Sequence, residues 1–437
     1  MKREYFILNQ YINIVKNYCD KARKLGVLEY VLSDIFQKVI IFVGGFVIVR
    51  ILTKEDYGSY TYILNTFNIF YLFGDFGISA AVLQYASVNY LNEEKRKMYI
   101  RYGRNVLRIV SGLSVVGIFL ISFVYRFTIE GTRELFCLLI FLPAFKNEIN
   151  YFQMILRVEL RNKIYAGINF MATIIHYIAL IGMAIFMGLE GAVAAVYPEV
   201  LVVLIMYIVA IKPTTTYQNI NVDFTQEEKK IFWKFAILMQ INQMSLAVLN
   251  YLDIYCLGIT IKQPEIIAEY KVASTIPTAL YFIPKSIMFF MVPLMGRKKQ
   301  NLDWTKKAFG KIVFINFILC LSITIIFSGF SSVIIRIVYG TKYAGSRMSF
   351  LVLLIGFVVY GVLQAPASNI LVVQEKLKVI IFTSVMGAVL NIILNIWLIN
   401  MVGSVGAAIA TLLSHLFVGG ILTLYLVVLF RRNKYKK

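Results

Sequence analysis

The sequence predicts an all-α integral membrane protein with twelve transmembrane helices in two six-helix bundles. Hydrophobic residues make up 59% of the chain and charged residues 15%, whereas a soluble domain is about 45–50% apolar and about 25% charged. Twelve apolar spans follow one another along the chain, and most basic residues lie between them. Internal similarity between the first six spans and the last six predicts that the bundles are related by a parallel pseudo-two-fold axis.

The first apolar span, residues 31–51, has about the 20 residues that a helix needs to cross a bilayer core of about 30 Å. It contains Asp34 and Lys38, which are four residues apart and therefore lie on one helical face. Because a charge within a membrane helix costs about 2.5 kcal/mol or more, we expect this face to border protein or a water-filled cavity. The preceding basic segment, residues 1–26, is predicted to lie on the cytoplasmic membrane surface as an amphipathic helix, with a solvated tail as the alternative.

The positions of the basic residues predict the orientation of the chain. The twelve spans lie near residues 31–51, 58–87, 105–126, 134–156, 163–188, 190–211, 231–257, 268–296, 310–332, 348–372, 378–400 and 404–430. With the N-terminus in the cytoplasm, and with basic residues near the span ends counted with the adjacent segment, 32 of the 44 basic residues fall in inner segments, nine in outer segments and three, Lys38, Lys146 and Lys285, deeper within spans. Since cytoplasmic loops are enriched in lysine and arginine, both termini are predicted to be cytoplasmic. Orientation also accounts for the net charge of +21, so nucleic acid is not expected as a partner.

The longest hydrophilic connection divides the chain into two related halves. The predicted domains are an N-terminal bundle (27–211), a cytoplasmic loop (212–230), a C-terminal bundle (231–430) and a basic cytoplasmic tail (431–437). Two pairs of short motifs recur 215 residues apart: Lys163-Ile-Tyr-Ala with Lys378-Val-Ile-Ile, and Gly191-Ala-Val-Ala-Ala with Gly406-Ala-Ala-Ile-Ala. Because six spans are an even number, both halves have the same orientation, and a substrate path is expected between them.

Patterns typical of catalysis are absent from the sequence. It contains no Ser/His/Asp set, no metal-ligand cluster and no G-x-x-x-x-G-K-[ST] loop. We therefore predict no catalytic residue, no metal site and no cofactor, with a proton or sodium gradient as the energy source. His176 is interpreted as a hydrogen-bonded packing residue rather than a proton relay. Transport or conduction is the function class that remains.

Ionisable residues inside the apolar spans form the candidate site. The cationic set, which would meet an anionic group of the cargo, is Lys38, Lys146 and Lys285. The acidic set, which would bind a coupling ion or proton, is Asp34, Asp75, Glu199 and Asp253. Ionisable residues within membrane spans commonly mark substrate and ion pathways. The alternative is that the lysines reach the membrane interface, or form internal ion pairs that only orient helices.

Three prolines within spans are predicted hinges: Pro277, Pro284 and Pro366. Proline removes a main-chain hydrogen bond and bends a helix. A bent helix suits alternating access, although proline is also frequent in membrane helices that do not move.

Five stretches resemble motifs of the polysaccharide repeat-unit flippases. They are Ile48-Val-Arg50-Ile-Leu-Thr-Lys-Glu55-Asp-Tyr57-Gly58, Phe73-Gly-Asp75-Phe-Gly77-Ile-Ser-Ala-Ala, Tyr251-Leu-Asp253-Ile-Tyr-Cys-Leu-Gly258, Tyr339-Gly340-Thr-Lys-Tyr343, and Asn391-Ile-Ile-Leu-Asn395 followed by Gly403-Ser-Val-Gly406-Ala-Ala-Ile-Ala-Thr411. Together they cover nearly the whole chain. Thr53 departs from the family, which usually has glycine at that place in the first motif. Arg50, which this motif carries, joins the candidate substrate-binding residues.

The resemblance implies membership of the multidrug/oligosaccharidyl-lipid/polysaccharide exporter superfamily. Such proteins consist of two six-helix bundles in a V, and the polysaccharide branch moves undecaprenyl-diphosphate-linked oligosaccharides to the outer leaflet for O-antigen, capsule or similar polymers. The implied location is the bacterial cytoplasmic (inner) membrane. The implied partners are the lipid-linked oligosaccharide, membrane lipids, and the polymerase and chain-length regulator of the same pathway. Lys38 is placed like a basic residue of the first span in the related peptidoglycan-precursor flippases.

Three other functions stay open at the level of sequence. A cation-coupled multidrug antiporter of the same superfamily would favour a cavity with a negative lining, and three intramembrane lysines argue against it. A glycosyltransferase or polymerase would require a large loop or a catalytic carboxylate cluster. A non-transporting component of the assembly machinery would tolerate substitution of the lysines.

Overall fold

The computed structural model describes residues 27–211, 224–297 and 301–432, and these residues are helical with no strand among them. The predicted N-terminal segment, most of the 212–230 loop and the end of the basic tail lie outside the described residues. In the N-terminal half the helices are α1 (Val27–Ile51), α2 (Lys54–Tyr71), α3 (Ile78–Val88), α4 (Glu93–Val124), α5 (Thr132–Cys137), α6 (Leu142–Val158), α7 (Asn162–Ala194) and α8 (Val196–Ile211).

The C-terminal half contains nine further α-helices in its described residues. They are α9 (Gln226–Thr260), α10 (Pro264–Leu280), α11 (Phe282–Arg297), α12 (Leu302–Gly329), α13 (Ser331–Ile334), α14 (Arg347–Val359), α15 (Ala365–Val373), α16 (Leu377–Val402) and α17 (Ser404–Arg432). A π-helix (Ile335–Tyr339) and a 3-10 helix (Thr341–Ser346) connect α13 to α14, and a second π-helix (Tyr360–Gln364) connects α14 to α15.

Seven helical segments of the described chain are long and apolar enough to cross a membrane. Several other predicted spans are interrupted. The predicted span 58–87 is two helices, α2 and α3, and the predicted span 268–296 is also two, α10 and α11. A break in a membrane helix frees main-chain polar groups that lipid cannot satisfy. The breaks are therefore the places where side chains of neighbouring helices must supply hydrogen bonds.

Packing divides the described chain into two compact units, each built from separate segments. The first contains residues up to Ile48, then Phe73–Val124 and Cys137–Gln240, and the second contains Val49–Leu72, Tyr125–Phe136 and the chain from Ile241 onward. In the second unit, α2 from the N-terminal half packs against α10 from the C-terminal half. The compact units thus differ from the continuous bundles at 27–211 and 231–430, which stay a prediction.

Two tight helical hairpins repeat the same backbone geometry 215 residues apart. Gly188 has φ 57° and ψ −133°, and Gly403 has φ 61° and ψ −136°. Three residues after each, an added Cβ on Gly191 would overlap the Met183 carbonyl, and one on Gly406 would overlap the Leu398 carbonyl. Residues eight apart in a continuous helix are separated by about 12 Å. The chain therefore reverses at both glycines, and only glycine fits the close approach.

A second feature also repeats with this offset. The helix before Leu160 and the helix before Glu375 each end with that residue in the left-handed conformation, at φ 56° and φ 58°. The next residue in each case donates its main-chain N–H to the carbonyl five residues back, over 2.8 Å, as in a Schellman motif. The internal repeat predicted from short motifs is thus present in the backbone of both halves.

Candidate functional site

Asp75 lies at the break in the second predicted span. Residues 72–77 separate α2 from α3, and both Phe76 (φ 49°) and Gly77 (φ 70°) adopt the left-handed conformation. The Asp75 carboxylate accepts hydrogen bonds from the Ser79 main-chain nitrogen at 3.2 Å and from the Ser79 hydroxyl at 2.9 Å. Asp75 thereby satisfies one of the free donors at the start of α3. An added Cβ on Gly77 would overlap the Ala236 carbonyl of α9, so this turn also needs glycine to pack.

Asn147 on α6 supplies the hydrogen bond that the break leaves open. Its amide nitrogen donates to the Gly74 carbonyl at 2.7 Å and to the Ser111 hydroxyl at 2.9 Å, and the side chain is 1% exposed. Asn147 was not among the predicted site residues. The available signal was an amide in the middle of an apolar span, next to Lys146, where a polar side chain requires a partner.

Three ionisable residues of the first unit lie close together. Nδ1 of His176 on α7 is 2.7 Å from a carboxylate oxygen of Glu199 on α8, and each side chain is about a quarter exposed. The charge of Glu199 also acts on Lys146 of α6. The structure therefore brings Lys146 and Glu199, from the two predicted sets, together with His176. The hydrogen bond expected for His176 is made with Glu199.

Asp34 and Lys38 form an ion pair within one helix. Both lie on α1, one turn apart, and their side chains are 46% and 47% exposed. Exposed ion pairs of this kind contribute about 0–1 kcal/mol to stability. An internal ion pair is the alternative to a functional role that the sequence leaves open for Asp34 and Lys38. Their roles in cargo binding and coupling stay predictions.

In the second unit, a buried polar cluster surrounds Asp253 of α9. One carboxylate oxygen accepts hydrogen bonds from the hydroxyls of Tyr270 and Thr411, and the other accepts the Asn395 amide at 2.8 Å. Asn395 also donates to the Asn391 carbonyl oxygen at 3.0 Å. Asp253 is 5% exposed, and both asparagines are fully buried. Two sequence motifs, around Asp253 and from Asn391 to Thr411, thus converge on one carboxylate.

This Asp253 cluster still has unused polar atoms. The Asn391 amide nitrogen and the Asn395 carbonyl oxygen are buried and have no hydrogen-bond partner among the described residues. The Asp253 carboxylate and the unpartnered Asn395 oxygen are oxygen ligands of the kind that hard cations prefer, and the carboxylate can also take up a proton. Within the described chain no group of three His, Cys, Asp or Glu residues comes together.

Lys285 lies beside a second polar cluster of the same unit. Its ammonium nitrogen is 5.9 Å from the ring centre of Tyr360, and the Tyr360 ring stacks on Tyr281 with centres 4.5 Å apart. His415 contacts Tyr281 through Nε2 at 3.0 Å and Gln364 through Nδ1 at 2.8 Å. Because the Gln364 oxygen only accepts, Nδ1 of His415 carries the proton and Nε2 accepts from the tyrosine.

Two of the predicted hinge prolines lie next to helix breaks. Pro284 is in the first turn of α11, directly after the break at Tyr281, and Pro366 follows the π-helix at the start of α15. Pro277 lies inside α10. The fully buried Asn316 donates to the Gly361 carbonyl of the π-helix at 2.7 Å, as Asn147 does at the other break. Their movement as hinges stays a prediction.

Arg50 donates hydrogen bonds to two main-chain carbonyls of the C-terminal half. Its guanidinium donates to the carbonyl of Val338 at 3.0 Å and to that of Ile337, at the end of the π-helix Ile335–Tyr339. Nearby, Lys54 of α2 forms an ion pair with Glu269 of α10, with 2.6 Å between Nζ and Oε1. These contacts join the end of α1 and the start of α2 to the C-terminal half, so they give Arg50 a positioning role. Its role in substrate binding stays a prediction.

Residues 25–299 match the family described as polysaccharide biosynthesis protein. The chain belongs to this family. No curated relative matches it by sequence. Among solved structures, a protein titled "Lipid II flippase MurJ, inward closed conformation" aligns with a TM-score of 0.72 and 14% identity over 90% of this chain and 86% of that chain. An inward-facing multidrug resistance MATE family transporter of the MOP superfamily aligns with a TM-score of 0.68 and 13% identity over 91% and 96%.

These similarities show the fold of this polysaccharide biosynthesis family member. The predicted all-α architecture is confirmed, because the described residues form helices with no strand among them and align with both structural relatives, one of them titled as a transporter of the MOP superfamily, over most of each chain. Together with the seven long apolar helices, they make the protein a multi-pass membrane protein.

Proposed function

We propose that the protein is a flippase that moves undecaprenyl-diphosphate-linked oligosaccharide repeat units from the cytoplasmic to the outer leaflet, for O-antigen, capsule or a similar polymer. The observation that carries the proposal is that each unit contains a lysine within a predicted membrane span, Lys146 on α6 and Lys285 on α11. A diphosphate is anionic, and a cation within the membrane is costly unless it meets an opposite charge. Family membership and the MOP fold support the same function.

The proposed mechanism is alternating access without chemical conversion of the cargo, so the protein is not an enzyme. The headgroup enters from the cytoplasmic side of the bacterial inner membrane, while the lipid tail stays in the bilayer. Both termini are cytoplasmic in this proposal. The breaks beside Pro284 and Pro366 are the helix positions where a change of angle meets least resistance, because main-chain hydrogen bonds are already missing there. The polymerase and chain-length regulator of the pathway are proposed partners.

We propose that a proton or sodium gradient drives the cycle through the Asp253 cluster. Its carboxylate is the only charge among the five polar side chains described there, and its asparagines retain unused polar atoms. A bound cation would neutralise the carboxylate and draw the α9, α16 and α17 side chains together. Asp34, Asp75 and Glu199 remain further candidates.

Complementation of a strain that lacks its own repeat-unit flippase tests the proposal. Wild-type protein is expected to restore surface polymer, whereas Lys146→Ala and Lys285→Ala abolish it at matched membrane levels. Lys307→Ala, which removes an exposed lysine of α12, is the control and is expected to complement fully. If the Lys146 and Lys285 variants also complement fully, the lysines are structural and the cationic-cavity hypothesis is wrong.

Transport assays with collapsed gradients test the coupling step. Flipping in proteoliposomes is expected to require either a proton or a sodium gradient, and Asp253→Asn is expected to remove that dependence. Undiminished flipping by the wild-type protein after both gradients are collapsed would exclude coupling at any of the four acidic candidates.

A cation-coupled multidrug antiporter is the second candidate, because a MATE transporter shares the fold. Its cargo is usually cationic, so transport of cationic dyes by the wild-type protein, unaffected by Lys146→Ala and Lys285→Ala, would favour it. A non-transporting role in polysaccharide assembly predicts polymer loss on deletion but no flipping by the purified protein.

A further inference from the structure

Four basic residues of α4 lie on one face of that helix: Lys97, Arg101, Arg104 and Arg108. They are separated by four, three and four residues, and since a helix has 3.6 residues per turn, all four positions lie on nearly the same side of it. At 1.5 Å per residue the stripe is about 16 Å long, and it ends within the predicted third span. The positive-inside rule depends on the number of basic residues near the membrane. It does not require their alignment on one face, so the alignment needs another explanation.

Arg104 and Tyr151 place two unused hydrogen-bonding atoms beside the stripe. The central guanidinium carbon of Arg104 is 5.2 Å from the ring centre of Tyr151 on α6. Arg104 Nε and the Tyr151 hydroxyl are both buried, and neither has a hydrogen-bond partner among the described residues. The Tyr151 side chain is only 2% exposed. Buried polar atoms without partners destabilise a fold, and a ligand rich in acceptor oxygens would supply the missing partners.

The charges around this hydroxyl favour an anion. Arg108 Nε lies 3.7 Å from a carboxylate oxygen of Glu148, which is longer than a hydrogen bond. Arg104, Arg108 and Glu148 all act electrostatically on the Tyr151 hydroxyl, so the four groups share one locality. Two guanidinium groups and one carboxylate thus act on this hydroxyl, so the charges around it are net positive. The Arg108 side chain is 59% exposed and is open to a ligand arriving from outside the unit.

We propose that Arg104, Arg108 and the Tyr151 hydroxyl bind the phosphate group of a lipid headgroup, and that Arg101 guides this group along α4 from the cytoplasmic side. Guanidinium groups match phosphate oxygens with paired hydrogen bonds, and a line of like charges raises the local concentration of an anion. The phosphate belongs either to the diphosphate of the lipid-linked cargo or to an anionic phospholipid. The first source rests on the proposed function.

Binding of undecaprenyl diphosphate to the full-length protein in phosphatidylcholine nanodiscs tests the site. Arg104→Gln and Arg108→Gln are each expected to raise the Kd about tenfold, equivalent to about 1.4 kcal/mol. Arg104→Lys, which keeps the charge but not the planar fork, is expected to give a smaller increase. Arg157→Gln is the matched control: it removes an exposed arginine at the end of α6 and is expected to leave the Kd within about twofold.

Tyr151→Phe separates ligand binding from structure, because it removes only the hydroxyl. An unpartnered buried hydroxyl does not stabilise the fold, so the melting temperature is expected to stay the same or rise. Under the proposal the Kd nevertheless rises about fivefold, the loss expected for one hydrogen bond. If Arg104→Gln fails to fold, Tyr151→Phe and Arg108→Gln still decide the question.

Each outcome distinguishes the site from the proposed function. An unchanged Kd in Arg108→Gln and Tyr151→Phe, while the wild-type protein binds and flips the diphosphate lipid, overturns the site alone. A wild-type protein that neither binds nor flips that lipid overturns the proposed function. Phosphatidylglycerol is the second ligand. If phosphatidylglycerol displaces undecaprenyl diphosphate at equal concentration, and the same variants weaken its binding, the phosphate site is supported. The bound phosphate is then that of a phospholipid and not that of the cargo.

Discussion

The ion pair between Lys54 and Glu269 is expected to hold α2 against α10. The two charged atoms are 2.6 Å apart, and the side chains are 25% and 18% exposed. The ion pair is therefore neither fully exposed nor fully buried. Exposed pairs contribute about 0–1 kcal/mol, whereas a hydrogen bond to a charged group contributes about 1.5–3 kcal/mol. We therefore expect about 1.5 kcal/mol for this pair, which is slightly more than tenfold in an equilibrium constant.

Charge reversal measures this contribution directly. Lys54→Glu places two carboxylates together, so it loses the attraction and adds a repulsion of similar size, about 3 kcal/mol in all. Since 1 kcal/mol shifts the melting temperature of a unit of 150–250 residues by about 2–4 °C, the expected decrease is about 6 °C or more in detergent. The swapped variant, Lys54→Glu with Glu269→Lys, is expected to recover at least half of it.

The controls for this experiment follow from exposure and salt. Lys262→Glu makes the same charge change at an exposed position and is expected to leave the melting temperature nearly unchanged. Added salt should narrow the difference between Lys54→Glu and the wild-type protein, because part of the pair is in contact with solvent. The comparison sums the decreases in melting temperature caused by Lys54→Glu alone and by Glu269→Lys alone. If the swapped variant shows a decrease as large as that sum, the pair has no coupling energy and the reasoning is refuted.

Three further predictions concern stability in detergent, each measured by thermal unfolding. Asn147→Leu leaves the Gly74 carbonyl without its partner and is expected to cost about 1–3 kcal/mol; an unchanged melting temperature would mean that water or lipid replaces the amide. Gly258→Ala drives a Cβ into the buried Tyr62 ring and is expected to cost about 1–3 kcal/mol, whereas an alanine at a glycine with open space around it should be tolerated. The Thr225 main-chain N–H, and then Lys95, hold the pKa of Glu228 below its ordinary value of 4.5. Glu228→Gln should therefore lower the melting temperature at pH 7, and the difference should close as the pH falls below 4.5 through the lowered pKa; a difference that persists in acid would contradict the assignment.

Much of the helical architecture could be predicted from the sequence, because a helix that crosses a lipid bilayer needs a long apolar segment. The predicted boundary between residues 188 and 190 lies at the Gly188 reversal, since glycine combined with a short polar interruption is a strong turn signal. The break at residues 72–77 was not predicted. Its residues are mostly apolar, and the turn is made by the left-handed Phe76, a conformation that a phenylalanine rarely adopts.

The candidate site was predicted by residue type but not by arrangement. Asp253 was selected because a carboxylate in an apolar span is costly, and its partners Asn391, Asn395 and Thr411 were noted only within a family resemblance. Their convergence depends on the packing of α9, α16 and α17, which hydropathy does not encode.

The hairpin at Gly403 has a consequence for the synthesis of the protein. There, α16 and α17, both long and apolar enough to cross a membrane, are joined by a reversal of a few residues, and Gly403-Ser-Val-Gly406 contains no charge. Carrying a charged loop across a bilayer is the costly part of inserting a helix pair, and this turn has none to carry. Helices α16 and α17 can therefore enter the membrane together as one unit, already antiparallel and packed, before the remainder of the second unit has assembled around Asp253.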